Sequence, residues 1–97
     1  MSYDIRLGKR DFNVTYNLAP MFYKFRPDEG IRCIYGKSGA QSTLLLLSMY
    51  KFFVANKEEL SELNPKNGWG SWSSAMDTIN GMIQASFVFP DAKWEGD

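Results

Sequence analysis

At 97 residues and 11.1 kDa the chain has room for one small domain. Eleven Lys and Arg balance eleven Asp and Glu, so the overall field favours neither nucleic acid nor a solvating acidic tail. Hydrophobic residues make up 44% and aromatics 15%, enough to bury a core at this size, and the lack of His removes the usual general base and the usual zinc ligand together.

Tyr3-Asp4-Ile5-Arg6-Leu7 alternates apolar and polar, as does Phe12-Asn13-Val14-Thr15-Tyr16, with the turn signal Gly8-Lys9 between them. Two short strands in a hairpin are expected, needing helices or a third strand for support. Asn17 to Pro20 should lead into a short helix, Met21 to Phe25, and Pro27-Asp28-Glu29-Gly30 reads as a turn. Ile31 to Tyr35 fits either a brief strand or a helical turn.

Ser38 followed three residues later by Gln41 is a capping-box pattern, which predicts a helix from about Gly39 to about Ala55 with Asn56 as its stop. Nine of the eleven residues Leu44 to Val54 are apolar and they surround the helix axis. Such a helix is either wrapped on all sides or covered by a partner. Lys57 to Leu63 reads as one or two further helical turns ended by Asn64-Pro65, and Lys66 to Gly70 as a loop. Ser71 then caps a second long helix whose Trp72, Ala75, Met76, Ile79, Met82, Ile83 and Phe87 form one stripe. Its opposite face, Ser73, Asp77, Asn80, Gly81 and Gln84, holds a single charge, and a lightly charged face suits contact with a partner. Gly81 suggests a close backbone approach. After Pro90-Asp91, Ala92 to Trp94 is expected to return as an edge strand beside the hairpin. The predicted fold class is α+β: two long helices packed on a small antiparallel sheet of two or three short strands, in a single domain spanning residues 1–97.

Several chemistries fail on their residues. Gly36-Lys37-Ser38 resembles the end of a phosphate-binding loop, but the glycine required five residues earlier is Ile31. Cys33 is the only cysteine, so no internal disulfide forms and a reducing, cytoplasmic setting is expected. Asp28-Glu29 and Glu58, Glu59 and Glu62 are too close in sequence to face one another across a cleft, and no calcium-loop spacing is present. No enzymatic activity, cofactor or metal site is expected. No stretch is long enough to cross a bilayer, no export signal is expected in Met1 to Arg10, and Asn13-Val14-Thr15 is a chance glycosylation match.

Binding is the expected mode of action. The candidate protein-contact residues are Asn13, Thr15, Tyr16 and Asn17, polar and aromatic for so short a segment, together with Trp69, flanked by glycines in its loop, and Trp72, the two tryptophans serving as interface anchors or as pins of that loop onto the core. The partner is expected to be another protein, either a second copy or a host factor. Charge is also uneven: residues 1–50 hold seven basic and four acidic groups, and the remainder four basic and seven acidic. A small anionic molecule such as a nucleotide is therefore an alternative ligand, gripped by Arg26, Arg32, Tyr35 and Lys37. Double-stranded DNA is not expected, since no basic recognition helix appears.

Asn13-Val14-Thr15-Tyr16-Asn17 with Pro20, Gly30-Ile31-Arg32 with Tyr35-Gly36 and Ser38-Gly39-Ala40, and Trp94-Glu95-Gly96-Asp97 together resemble a family of short bacterial and phage-encoded proteins. The resemblance spans most of the chain and carries no activity, ligand or catalytic residue. It implies a mobile accessory gene, whose products often bind a host component, including defence machinery.

Overall fold

The computed structural model describes residues 1–97. The chain opens with a hairpin, β1 (Ser2–Leu7) and β2 (Arg10–Thr15), registered so that Tyr3 faces Val14 and Ile5 faces Phe12. Gly8 takes φ +59° at the first of the two turn positions and Lys9 does not, the pattern of a II′ turn that suits strand twist. Tyr3, Ile5, Leu7 and Val14 point into the core. The opposite face pairs Arg6 with Asp11 through a 2.7 Å ion pair, and Asp4 with Asn13, whose Nδ2 donates to Asp4 Oδ1 at 2.7 Å.

A 3-10 turn, Tyr16–Leu18, runs into α1 (Ala19–Phe25), which begins two residues earlier than its sequence suggests because Pro20 suits the first helical turn. The ambiguous Ile31 segment is a second 3-10 turn, Gly30–Ile34, with Ile31, Cys33 and Ile34 buried. The two long helices follow their predicted limits. Helix α2 is Gly39–Ala55, α3 is the short Lys57–Ser61, and α4 is Trp72–Val88. Ser38 Oγ accepts from the Gln41 amide and Gln41 Oε1 accepts from the Ser38 amide, so both halves of the capping box form.

The sheet order is β2-β1-β3, all neighbours antiparallel. Strand β3 is Glu95–Gly96, paired to Ile5 and Arg6, and not the Ala92 to Trp94 segment expected. Trp94 instead turns inward: it is buried, its ring lies 5.8 Å from that of Phe12, and its Nε1 donates to Ser42 Oγ at 2.8 Å inside α2. The large ring gains more from the core than from an edge, so pairing is displaced to the residues after it.

One hydrophobic core joins the sheet to both long helices. From α2 it takes Leu46, Met49 and Phe53, and from α4 Ala75, Ile79, Met82 and Ala85. Two expectations need correction. Phe87, placed in the buried stripe by spacing, is 66% exposed, and Ala85 and Ser86 occupy the core side near the helix end. Gly81 makes room for a side chain, since a Cβ there would lie 3.1 Å from the Phe12 ring. The close backbone approach falls at Gly39, where a Cβ would collide with the Phe89 carbonyl oxygen.

Candidate functional site

The α2 and α4 helices lie antiparallel: Thr43 Oγ1 is 3.2 Å from Ser86 Oγ near one end, and Trp72 Nε1 donates to the Phe53 carbonyl at 3.0 Å near the other. With Leu46, Met49 and Phe53 turned to the core, helical spacing carries Thr43, Leu47 and Val54 to the side that meets α4 and leaves Leu44, Ser48 and Lys51 outermost. On α4 the corresponding side is Met76, Ile83 and Phe87, and the outermost row is Ser73, Asp77 and Asn80. The wrapping of α2 is therefore incomplete. Leu44 is 78% exposed, Val54 52%, and Phe87 and Val88 about two-thirds. Large apolar side chains thus stand on the outer side of two helices whose inner sides pack on the core.

The residues singled out at the hairpin end divide into two groups. Thr15 caps the first 3-10 turn, its Oγ1 accepting from the Asn17 amide at 3.3 Å and from Asn17 Nδ2 at 3.1 Å. Asn13 is spent on cross-strand bonds to Asp4 and Ser2. Tyr16 is half-buried with its ring edge-on to Tyr3 at 4.6 Å. The loop carrying Trp69 comes close to this end, for a Cβ on Gly70 would stand 3.1 Å from both Leu18 and the Thr15 methyl. The two tryptophans have different roles. Trp72 pins the start of α4 to the end of α2 through its indole bond, with Lys57 Nζ 4.7 Å over the ring, whereas Trp69 is 70% exposed.

The four residues considered for an anionic ligand do not line a shared cavity. Arg26 is stacked over the Phe25 ring at 4.3 Å. Arg32 lies 4.8 Å over Tyr3 and donates from Nε to the Asp97 main-chain oxygen at 3.0 Å. Lys37 is exposed, and Tyr35 is packed under Gly96 with its hydroxyl enclosed and without a hydrogen-bond partner. Burial raises the Tyr35 hydroxyl above its ordinary range, with the Arg32 charge opposing the shift. Two surface depressions exist, one of about 500 Å³ on the solvent side of the sheet between Asp4, Arg6, Asp11 and Glu95, the other of about 450 Å³ around Val54 to Glu59. Neither is lined by those four residues.

Cys33 is buried in the core, and desolvation pushes its thiol up from the ordinary value, against weaker lowering by Arg26. A thiol held protonated in apolar surroundings is a poor nucleophile. No helix is long and apolar enough to cross a membrane. No family model, no curated protein and no solved structure matches the chain.

The α2–α4 seam was only half visible in the sequence. The all-round apolar character of α2 signalled that something must cover it, but its exposed side could be identified only once Leu46, Met49 and Phe53 were seen facing the core. Phe87 gave no signal of its own, because its spacing matches the buried stripe.

Proposed function

We propose that the chain is a binding protein that acts by contact with another protein, and that the outer face of the α2–α4 pair is its principal contact surface. The observation that carries this reading is the set of exposed Leu44, Val54, Phe87 and Val88 side chains on two helices whose inner faces already complete the core. Leu44, Phe87 and Val88 lie at the same end of the helix pair, and apolar side chains grouped on one face are the usual mark of an interaction site. Near-absence of charge on the same face fits an interface core, where charged residues are depleted. Trp69, exposed in the loop whose Gly70 lies against Thr15 and Leu18, offers a smaller second anchor of the kind that interfaces favour. Action on a host component, which the family resemblance implies, would use the same face.

An immobilised copy of the chain, exposed to a bacterial lysate supplemented with untagged chain, tests the reading. Retention of a protein, whether the untagged chain or another, is expected for the wild type and for Trp69→Ala, and loss is expected for Leu44→Asp combined with Phe87→Asp. Equal retention by the doubly substituted chain would overturn the assignment of this face. Because both sites are exposed, a circular-dichroism melt matching that of the wild type separates loss of contact from loss of fold.

A further inference from the structure

Lys51 is the single charged residue within α2 and Asp77 the single charged residue within α4. Both are exposed on the outer face, and neither takes part in the two ion pairs of the chain, Arg6–Asp11 and Lys24–Glu59. Solvated surfaces ordinarily carry charge at roughly 25–35% of positions. A face of two 17-residue helices with one cation and one anion is therefore lightly charged, and well suited to a partner bearing one anion and one cation in matching places.

The register between the helices fixes those places. Measured from the Thr43–Ser86 contact, Lys51 lies about 12 Å along α2 and Asp77 about 13.5 Å back along α4, at 1.5 Å per residue. The two charges thus stand at nearly the same level, side by side on neighbouring helices. We infer that the partner covering this face is a second copy of the chain, in a symmetric dimer whose two-fold axis runs parallel to the helices. The inference rests on the contact-surface reading above and names its occupant.

Rotation about that axis lays α2 of one copy antiparallel on α4 of the other without shifting either along its length. Lys51 then meets Asp77 of the second copy, and the pair occurs twice by symmetry. Leu44 and Leu47 are brought onto Phe87 and Ile83 of the second copy by the same rotation, completing a four-helix layer between two sheets. A two-fold axis across the helices would instead lay α2 on α2 and α4 on α4, and neither helix offers a charge opposite to its own. The area is sufficient. Two helices about 25 Å long and about 10 Å apart present a face on the order of 500 Å² per copy, and on the order of 1,000 Å² for two copies is where specific interfaces begin. A formal net charge of zero adds no long-range repulsion between copies.

Light scattering and sedimentation velocity between about 1 μM and about 500 μM, where a modest interface of this size would reveal itself, test the proposal. The mass is expected to rise from 11.1 kDa to twice that value. Lys51→Glu and Asp77→Lys should each weaken association at least about tenfold, and the two together should restore it, because the pairs are re-formed with their signs exchanged. A constant monomer mass would overturn the dimer, as would a dimer indifferent to the single reversals or not restored by the double one. If the chain is monomeric throughout while the immobilised copy still retains another protein through Leu44 and Phe87, the dimer fails and the contact-surface reading stands. If neither mass nor retention responds, both fail.

Discussion

Helices α2 and α4 have the same length, 17 residues, and begin with the same device: a serine Oγ accepting from the amide three residues on, answered by that residue's side chain. They distribute their side chains differently. In α4, six of the seven residues of the apolar stripe are buried in the core or packed against it, Phe87 being the exception, and the opposite row is Ser73, Asp77, Asn80 and Gln84. In α2 the residues are apolar nearly all round, yet the outer side is left uncovered, so Phe53 is fully buried while its neighbour Val54 is 52% exposed. The lesson is that hydrophobicity around a helix states how much surface seeks cover, and the number of neighbours decides how much receives it. A three-stranded sheet, one long partner helix and the short α1, whose Phe22 and Phe25 lie against Phe53 and Phe52, do not enclose α2 on every side.

The sharpest way to break this comparison is within α2 itself. Phe53→Ala should lower unfolding stability by about 3–5 kcal/mol in urea titration, since it removes a ring packed 5.2 Å from Phe22 and leaves a cavity. Val54→Ala should leave stability within about 0.5 kcal/mol of the wild type. Similar losses at both positions would mean that α2 is enclosed after all.

The glycines of the two helices sharpen the contrast. Gly39→Ala should destabilise by about 1–3 kcal/mol, because the new methyl meets the Phe89 and Ser86 carbonyl oxygens, which belong to a backbone fixed by the Gly39 and Ala40 amide bonds to Ala92 and Pro90. Gly81→Ala should be close to neutral in the same thermal or urea measurement. Its methyl presses on the edge of Phe12 at 3.1 Å, but this is offset by the roughly 0.8–1.0 kcal/mol that Ala gains over Gly in a helix interior. A smaller step is the cap. Ser38→Ala should cost about 1 kcal/mol by urea titration, since the Gln41 amide loses its acceptor at 3.0 Å.

These residues also show where the fold was legible. Local rules placed the hairpin, both long helices and their start points, because caps, alternation and three-four spacing are properties of a few consecutive residues. Apart from the start of α1, where Pro20 itself enters the first turn, the failures involve distant parts of the chain. Trp94 leaves the expected edge strand because Ser42 and Phe12, far away in sequence, offer its ring and its N–H a better place. Phe87 has the right spacing for the core, but the core has ended by that turn of α4, so Ala85 and Ser86 close it and Phe87 faces outward. The contact residues near Asn13 to Asn17 show the same limit. Their polar character was visible, but Asn13 and Thr15 turn out to be engaged by Asp4, Ser2 and Asn17, which leaves less of them for a partner than composition suggests.

The smallest expected effect is the one that decides whether the outward surplus of α2 has a use. Leu44→Ser and Phe87→Ser, at 78% and 66% exposure, should change the stability of dilute protein by no more than about 0.5 kcal/mol. In concentrated wild-type protein, association with the folded state alone raises the apparent melting temperature by mass action, and each substitution should remove that rise while leaving the dilute value in place. A core residue cannot behave so, because its loss is felt at every concentration. Melting curves recorded across dilution therefore distinguish side chains that hold the monomer together from side chains that wait for a second surface. A loss of stability at Leu44 that is independent of concentration would place it among the former.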